Sequence, residues 1–207
     1  MSLGRISLLS LIVISAQAAT LYSTDGTSTP TFSDAGGFSL YAPLPPTAIA
    51  MRFLASQSGT VVGVTVPLSA NVTGPSSETF ELLTEAAGIP GSVLDTLTFT
   101  GISGSGPALY TANSTLHPTL IANTPYWLEA TATDQFVLIA WYSALPGVNG
   151  TVWASSAGLE ANQELAAFAL SGQNVPEPSA VCLFVAGALS LLGMFKLRER
   201  RRQQRRT

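Results

Sequence analysis

Few residues in this chain combine the types and the spacing that chemistry needs. His117 is the only histidine, and Pro118 follows it directly. A zinc centre needs several His, Cys or carboxylate ligands converging, and a Ser-His-Asp triad needs a histidine oriented by its neighbours. Neither a Gly-x-Ser-x-Gly elbow nor a His-Glu-x-x-His motif accompanies His117. It is expected at a strand end on the surface. Carboxylates come next: Glu78, Glu81 and Glu85 fall in one stretch and Glu129 in another. Two carboxylates facing each other across a cleft can hydrolyse a glycoside. In a strand, however, Glu81 and Glu85 oppose the face of Phe80 and Leu82, which turns them outward to solvent. Asp25, Asp34 and Asp134 are candidate calcium ligands, but no Asp-x-Asp-x-Asp ladder joins them. The expectation is a protein that is not an enzyme, with no catalytic residue, metal or cofactor.

Binding is better represented than catalysis. Trp127, Trp141 and Trp153, with Tyr126 and Tyr142, offer aromatic faces that can stack on sugar rings. Aromatics in strands more often fill the core, because each buries a large area. Both readings stand at this point: core, or a platform for a glycan such as an exopolysaccharide.

The elements that must position these residues are strands. Short runs of β-branched, aromatic and aliphatic residues recur between Ala19 and Asn174, broken by Gly, Pro, Ser and Asn. Strands are predicted over 37–41, 49–55, 60–70, 79–84, 93–100, 108–112, 125–133, 136–143, 151–154 and 166–171. Within the third, Val62, Val64, Val66 and Leu68 share one face, and Pro67 marks an edge or a bulge because it cannot donate a ladder hydrogen bond. Asp95 to Thr100 alternates likewise, with Leu97 and Phe99 inward and the threonines outward. Phe136 to Tyr142 is apolar on both faces, as in a central strand or a dimer contact. Gly88-Ile89-Pro90-Gly91 and Gly101 to Pro107 read as turns, and Ala42 to Pro46 as a stiff connector. Only Leu159–Leu165 is compatible with a helical turn. Without crossover helices, the pattern predicts an all-β, antiparallel sandwich of jelly-roll type.

Both ends of the chain differ from this body. Arg5, the apolar run Ile6 to Ser15 and Ala16-Gln17-Ala18 have the layout of a secretory signal peptide over residues 1–18, cut between Ala18 and Ala19. At the other end, Ser179 to Phe195 is an uncharged run of 17 residues. As a helix it would reach roughly 25 Å, with Lys196 snorkelling to complete a span. Lys196, Arg198, Arg200, Arg201, Arg202, Arg205 and Arg206 follow it, and such clusters stay on the cytoplasmic side. The body is thereby placed outside. Residues 20–178 hold eleven acids against one base, Arg52, a formal charge of −10. A body this acidic repels phosphate, which excludes a nucleic-acid role. The only cysteine, Cys182, lies in the apolar run, so the body at 19–174 has no disulfide framework and depends on packing.

The order Val175-Pro176-Glu177-Pro178, apolar run, Arg-rich end resembles the PEP-CTERM sorting signal of Gram-negative bacteria. The two prolines keep this strip extended and stop the helix from starting early. The resemblance covers 175–207 and implies that an exosortase, an integral-membrane transpeptidase-like enzyme, recognises the motif and cuts near it. The general secretion machinery is the other implied partner. On this reading the chain sits in the inner membrane with its C-terminus cytoplasmic, and is then released to the cell surface or extracellular matrix. A permanent anchor with a proline-containing linker is the alternative. A second resemblance covers most of residues 38–155. Met51-Arg52-Phe53, the Val61–Leu68 strand, Phe80-Glu81-Leu82-Leu83-Thr84, Gly88-Ile89-Pro90-Gly91 and Asn123-Thr124-Pro125-Tyr126-Trp127-Leu128 are similar to the choice-of-anchor R type of bacterial surface domain, departing from its pattern at Asn123 and Pro125. That resemblance implies no activity and transfers no functional residues. In a bacterium, the acceptor-like triplets at Asn71, Asn113 and Asn149 are coincidental.

Overall fold

The computed structural model describes residues 18–34, 36–40, 48–71, 74–131, 138–155 and 157–174. These residues form thirteen strands: β1 (Ala18–Ser23), β2 (Gly37–Leu40), β3 (Ala48–Leu54), β4 (Gly59–Ala70), β5 (Ser76–Ala86), β6 (Ile89–Ile102), β7 (Ala108–Asn113), β8 (Thr119–Leu120), β9 (Pro125–Thr131), β10 (Ile139–Tyr142), β11 (Asn149–Ala154), β12 (Gly158–Glu164) and β13 (Ala169–Asn174). No helix occurs among the described residues. Two antiparallel sheets result. One has seven strands in the order β1-β13-β4-β10-β2, with β7 and β8 also against β4; the other has six, in the order β12-β11-β3-β9-β5-β6. The all-β, two-sheet expectation therefore holds for the body. The predicted signal peptide up to Gln17, the motif Val175–Pro178, the apolar run and the basic tail lie outside the described residues.

Alternation explains why these segments pair as they do. In β6, Leu97 and Phe99 are buried while Thr96, Thr98 and Thr100 are exposed, as expected. Beside them in the same sheet stands Phe80. Phe80 of β5 lies 4.9 Å from Phe99 and 4.9 Å from Trp141 of β10, both edge-on, so one phenyl ring joins the two layers. Met51, Leu82, Leu128, Val64, Val66, Leu68 and Leu170 complete the same cluster. Burial of such rings and branched chains stabilises by about 1.5–3 kcal/mol each, which offsets the lack of disulfides. β10 sits between β4 and β2, in agreement with its two apolar faces.

Four expectations need correction. Val62 does not share the core face of Val64, Val66 and Leu68. The register of β4 against β13 steps between Gly63↔Ser171 and Val61↔Gly172, and this bulge turns Val61 inward and leaves Val62 exposed. Pro67 lies in the most extensively paired strand, not on an edge. On that flank the β13 register ends at Thr65 and the β10 register begins at Leu68, so Pro67 falls in the gap between them. Leu159–Leu165 forms no helical turn, because 158–164 is β12, hydrogen-bonded to β11. Asn162, with φ 59°, takes up the irregularity in that hairpin. Finally, the turn near Gly88 is only Ala87-Gly88, with φ 53° and 88°, and Ile89, Pro90 and Gly91 already belong to β6. Positive φ at both central residues matches the twist of the hairpin.

The two ends of the body meet. β1 pairs with β13 antiparallel, with Ala18 opposite Gln173 and Ala19 opposite Gly172. β13 in turn pairs with the start of β4, Asn174 opposite Gly59. Fully buried Leu21 fills the space that side chains at Gly59 and Gly172 would need.

Candidate functional site

Charged side chains of neighbouring strands meet on the outward face of the six-stranded sheet. Met51, Phe53 and Leu128 point into the core, so Ala50, Arg52, Trp127 and Glu129 point away from it. Register sets two rows across the strands. Arg52, Trp127 and Leu83 form one row; Trp153, Ala50, Glu129 and Glu81 form the next. Ala50, Leu83 and Trp127 make a small apolar cluster of their own, with half-buried Trp153 packed against it.

Arg52 closes over this face. Its guanidinium makes a bidentate ion pair with Glu85, through Nε to Oε2 and Nη2 to Oε1, the latter at 3.1 Å. Arg52 comes from β3 and Glu85 from β5, so the pair crosses the outward face of β9, where Trp127 lies. The hydrogen bond from Arg52 holds the Glu85 carboxyl below its ordinary range against the opposing effect of burial, and the Trp127 side chain adds a smaller lowering. That indole N–H lies close to the carboxylate without meeting hydrogen-bond geometry, and Nε1 is buried without a partner.

One row away, Glu129 and Glu81 face each other in register across β9 and β5. Like charges directly opposite are destabilising. Burial pushes the Glu129 carboxyl up, Glu81 pushes it further, and a hydrogen bond from Thr131 partly opposes both. Glu81 and Glu85, the two carboxylates that alternation turned outward, do lie on this outer face, but each is half-buried beside a charged partner, Glu129 and Arg52 respectively. Glu78 is on the opposite face and buried, so it does not join them.

The three tryptophans do not share one face. Trp141 is fully enclosed in the core and donates from Nε1 to the Ala167 carbonyl at 2.9 Å. Trp127 also has no exposed surface and lies on the other face of the other sheet. Among the three, Trp153 alone retains some exposure. Tyr126 is core, its hydroxyl accepting from the Ile121 N–H at 3.0 Å, and Tyr142 hydrogen-bonds Ser69.

His117 is exposed between β7 and β8, as expected, with Nδ1 3.1 Å from the Val61 carbonyl oxygen. Asp95, only 1% exposed, lies nearby and was not singled out in sequence, although it shares the face of Leu97 and Phe99. It accepts hydrogen bonds from Ser114 Oγ at 2.5 Å and from Thr115 N and Oγ1 at 3.2 and 3.1 Å. Ser114 Oγ itself accepts from the His117 backbone N–H at 2.9 Å. Asp, Ser and His are close here, yet the imidazole is turned to a backbone carbonyl and not to the serine. This geometry braces a loop and has no nucleophile–base pair.

Asp25 also braces a loop. Its carboxylate accepts from Ser23 Oγ at 2.6 Å and from the N–H and Oγ1 of both Thr27 and Thr31 at 2.7–3.0 Å. Burial alone would push this carboxyl up, but the bonds from Ser23, Thr31 and Thr27 outweigh it and hold it well below the usual carboxylate range. Asp34 is exposed apart from it, and Asp134 lies outside the described residues. No group of three or more His, Cys, Asp or Glu side chains fit to hold a metal occurs among the described residues. At the N-terminal end, Ala18 and Ala19 are the first two residues of β1. No family model matches this chain, and no curated protein matches it either.

Proposed function

We propose that this chain is an exported bacterial surface or extracellular-matrix protein without enzymatic activity, delivered by its two ends and displaying a β-sandwich. The observation that carries the reading is the tripartite end: Val175-Pro176-Glu177-Pro178, the charge-free run 179–195, and seven basic residues among the last twelve. In this proposal residues 1–18 are a signal peptide, 179–195 is a transmembrane helix with the C-terminus cytoplasmic, and an exosortase cuts near Pro178. The body is jelly-roll-like. That finer assignment is supported by the connections, since only β5–β6 and β11–β12 join neighbours of one sheet in sequence while the other neighbours are brought together by longer connections. One feature of the described body suits such a role: the polar clusters at Asp25 and Asp95 brace loops. Intact-mass analysis of surface material tests the proposal, with a mature form beginning at Ala19 and ending near Pro178 expected. Changing Pro176 and Glu177 to Ala should leave the full-length chain in the inner membrane; normal maturation of that variant would refute the sorting motif.

A second reading, a module that binds exopolysaccharide, draws on one observation. Partly exposed Trp153 lies in the same row as Glu129 and Glu81, with Ala50 between them, so a ring face and acceptors for sugar hydroxyls share one face of the sheet. Binding on a glycan array that is lost in Trp153→Ala would favour it, and silence of the wild type on a broad array would count against it.

A further inference from the structure

We propose that the pole of the sandwich from which the C-terminal tail leaves is a lipid-docking surface, with Leu54, Ile89 and Ile121 seated in the bilayer interface. This inference rests on the membrane reading of 179–195 given above and adds to it which part of the body touches the membrane. Three segments cluster at this pole. The connection from Leu54 to Gly59 passes between the sheets, as does the one from Leu120 to Pro125. Backbone bonds from Ala55 N to Thr124 O at 3.3 Å and from Asn123 N to Ala55 O at 2.8 Å tie the two together. The Ala87-Gly88 turn adjoins them, since Thr84 of β5 pairs with Tyr126 of β9. β1 begins and β13 ends at the same place.

Each segment carries a large apolar side chain in solvent: Leu54 at 49% exposure, Ile89 at 47% and Ile121 at 60%. The tail then fixes what lies opposite. Only four residues, Val175 to Pro178, separate Asn174 from the apolar run. Fully extended they reach about 14 Å, so the pole at Asn174 cannot move far from the bilayer surface and must face it. Its charge also fits. Of the acids on this half, Glu85 is neutralised by Arg52, and exposed Glu164, opposite Asn149 at the same pole, is set to the side on the outermost strand, β12, two strands from β3. Asp25 follows the far end of β1, and Glu78 is near the far end of β5. Apolar groups on a pole where the acids are paired or displaced can enter a headgroup region, whereas the same groups beside free carboxylates would be held off by desolvation.

Fluorescent labels on single cysteines test this in the full chain, reconstituted in vesicles of phosphatidylethanolamine and phosphatidylglycerol containing spin-labelled lipid. Wild-type protein labelled at Cys182 reports on the tail. In a Cys182→Ser background, Leu54→Cys, Ile89→Cys and Ile121→Cys report on the pole, and Ser105→Cys reports on the opposite end. The three pole labels should be quenched roughly twofold or more beyond Ser105→Cys, as for groups about 5–10 Å into the interface. Quenching at Cys182 with pole labels no different from Ser105→Cys would overturn the docking surface and leave the membrane segment standing. An unquenched Cys182 would overturn the membrane reading, and the docking surface with it.

Discussion

Two titratable side chains make individual residues measurable here. Glu129 faces Glu81 in register and its carboxyl is pushed up by burial and by that neighbour. A raised carboxyl favours the folded state while both states are protonated, and this is lost as pH rises and the unfolded chain ionises first, near its ordinary value of about 4.3. Glu129→Gln should therefore be more stable than wild type at pH 7, by about 0.2–1 kcal/mol, with the gap closing near pH 4. Thermal melts at the two pH values measure it, and equal gaps would contradict the pairing. Tyr22 works at the alkaline end. Packed 4.8 Å from Phe53 and 4.9 Å from Phe168, its phenol is pushed up to about 12 by burial. Between about pH 10 and 12 the unfolded chain ionises while the folded one resists, so stability should fall there by at most about 3 kcal/mol. Tyr22→Phe should remove that alkaline fall, seen in urea melts at pH 9 and 11.

Single positions also decide how the elements hold together. Ala87 occupies a left-handed conformation, φ 53°, in the turn between β5 and β6, which costs a residue with a Cβ about 1–2 kcal/mol. Ala87→Gly should raise the melting temperature by a few degrees, roughly 2–4 °C per kcal/mol for a chain of this size. Gly172→Ala should act in the opposite sense. Its methyl would collide with Leu21 and the Thr60 carbonyl, loosening β1 from β13 at a cost of about 1–3 kcal/mol. Much at this scale was legible beforehand. The faces of Leu97 and Phe99, of Val64, Val66 and Leu68, and of the outward glutamates all follow from period-two alternation. What was hidden depends on a partner strand. Val62 is turned outward by a bulge against β13, and β12 is exposed along its length and held by backbone bonds to β11, so no apolar pattern announces it. The same holds for the outward site. Parity placed Glu81 and Glu85 on an outer face, but only the pairing of β5 with β9 sets Glu129 opposite Glu81. Sequence left two uses open for Trp127 and Trp141; both are buried, Trp141 in the core between the sheets and Trp127 in the small cluster on the outward face.

At the scale of the whole molecule, chain order and sheet order conflict in a way that constrains how the protein is made. Among the described residues the first strand pairs with the last, across about 150 residues of sequence, so β1 lacks this partner until residues 169–174 have emerged. The Ala18–Ala19 bond lies within that pairing, opposite Gln173 and Gly172. A peptidase that grips an extended substrate along its backbone must compete with this ladder once it has formed. If 1–18 is a signal peptide, its removal therefore belongs before the docking of β13. A purified precursor should be cut at Ala18 roughly a hundredfold more slowly when folded than in dilute urea, because cutting the native form requires local opening of β1. Gly172→Ala, which weakens that ladder, should recover part of the rate without unfolding the rest, with Trp141 fluorescence reporting an intact core. Equal rates for folded and unfolded precursor would show that β1 does not protect the bond, and the inferred order of cleavage and closure would fall.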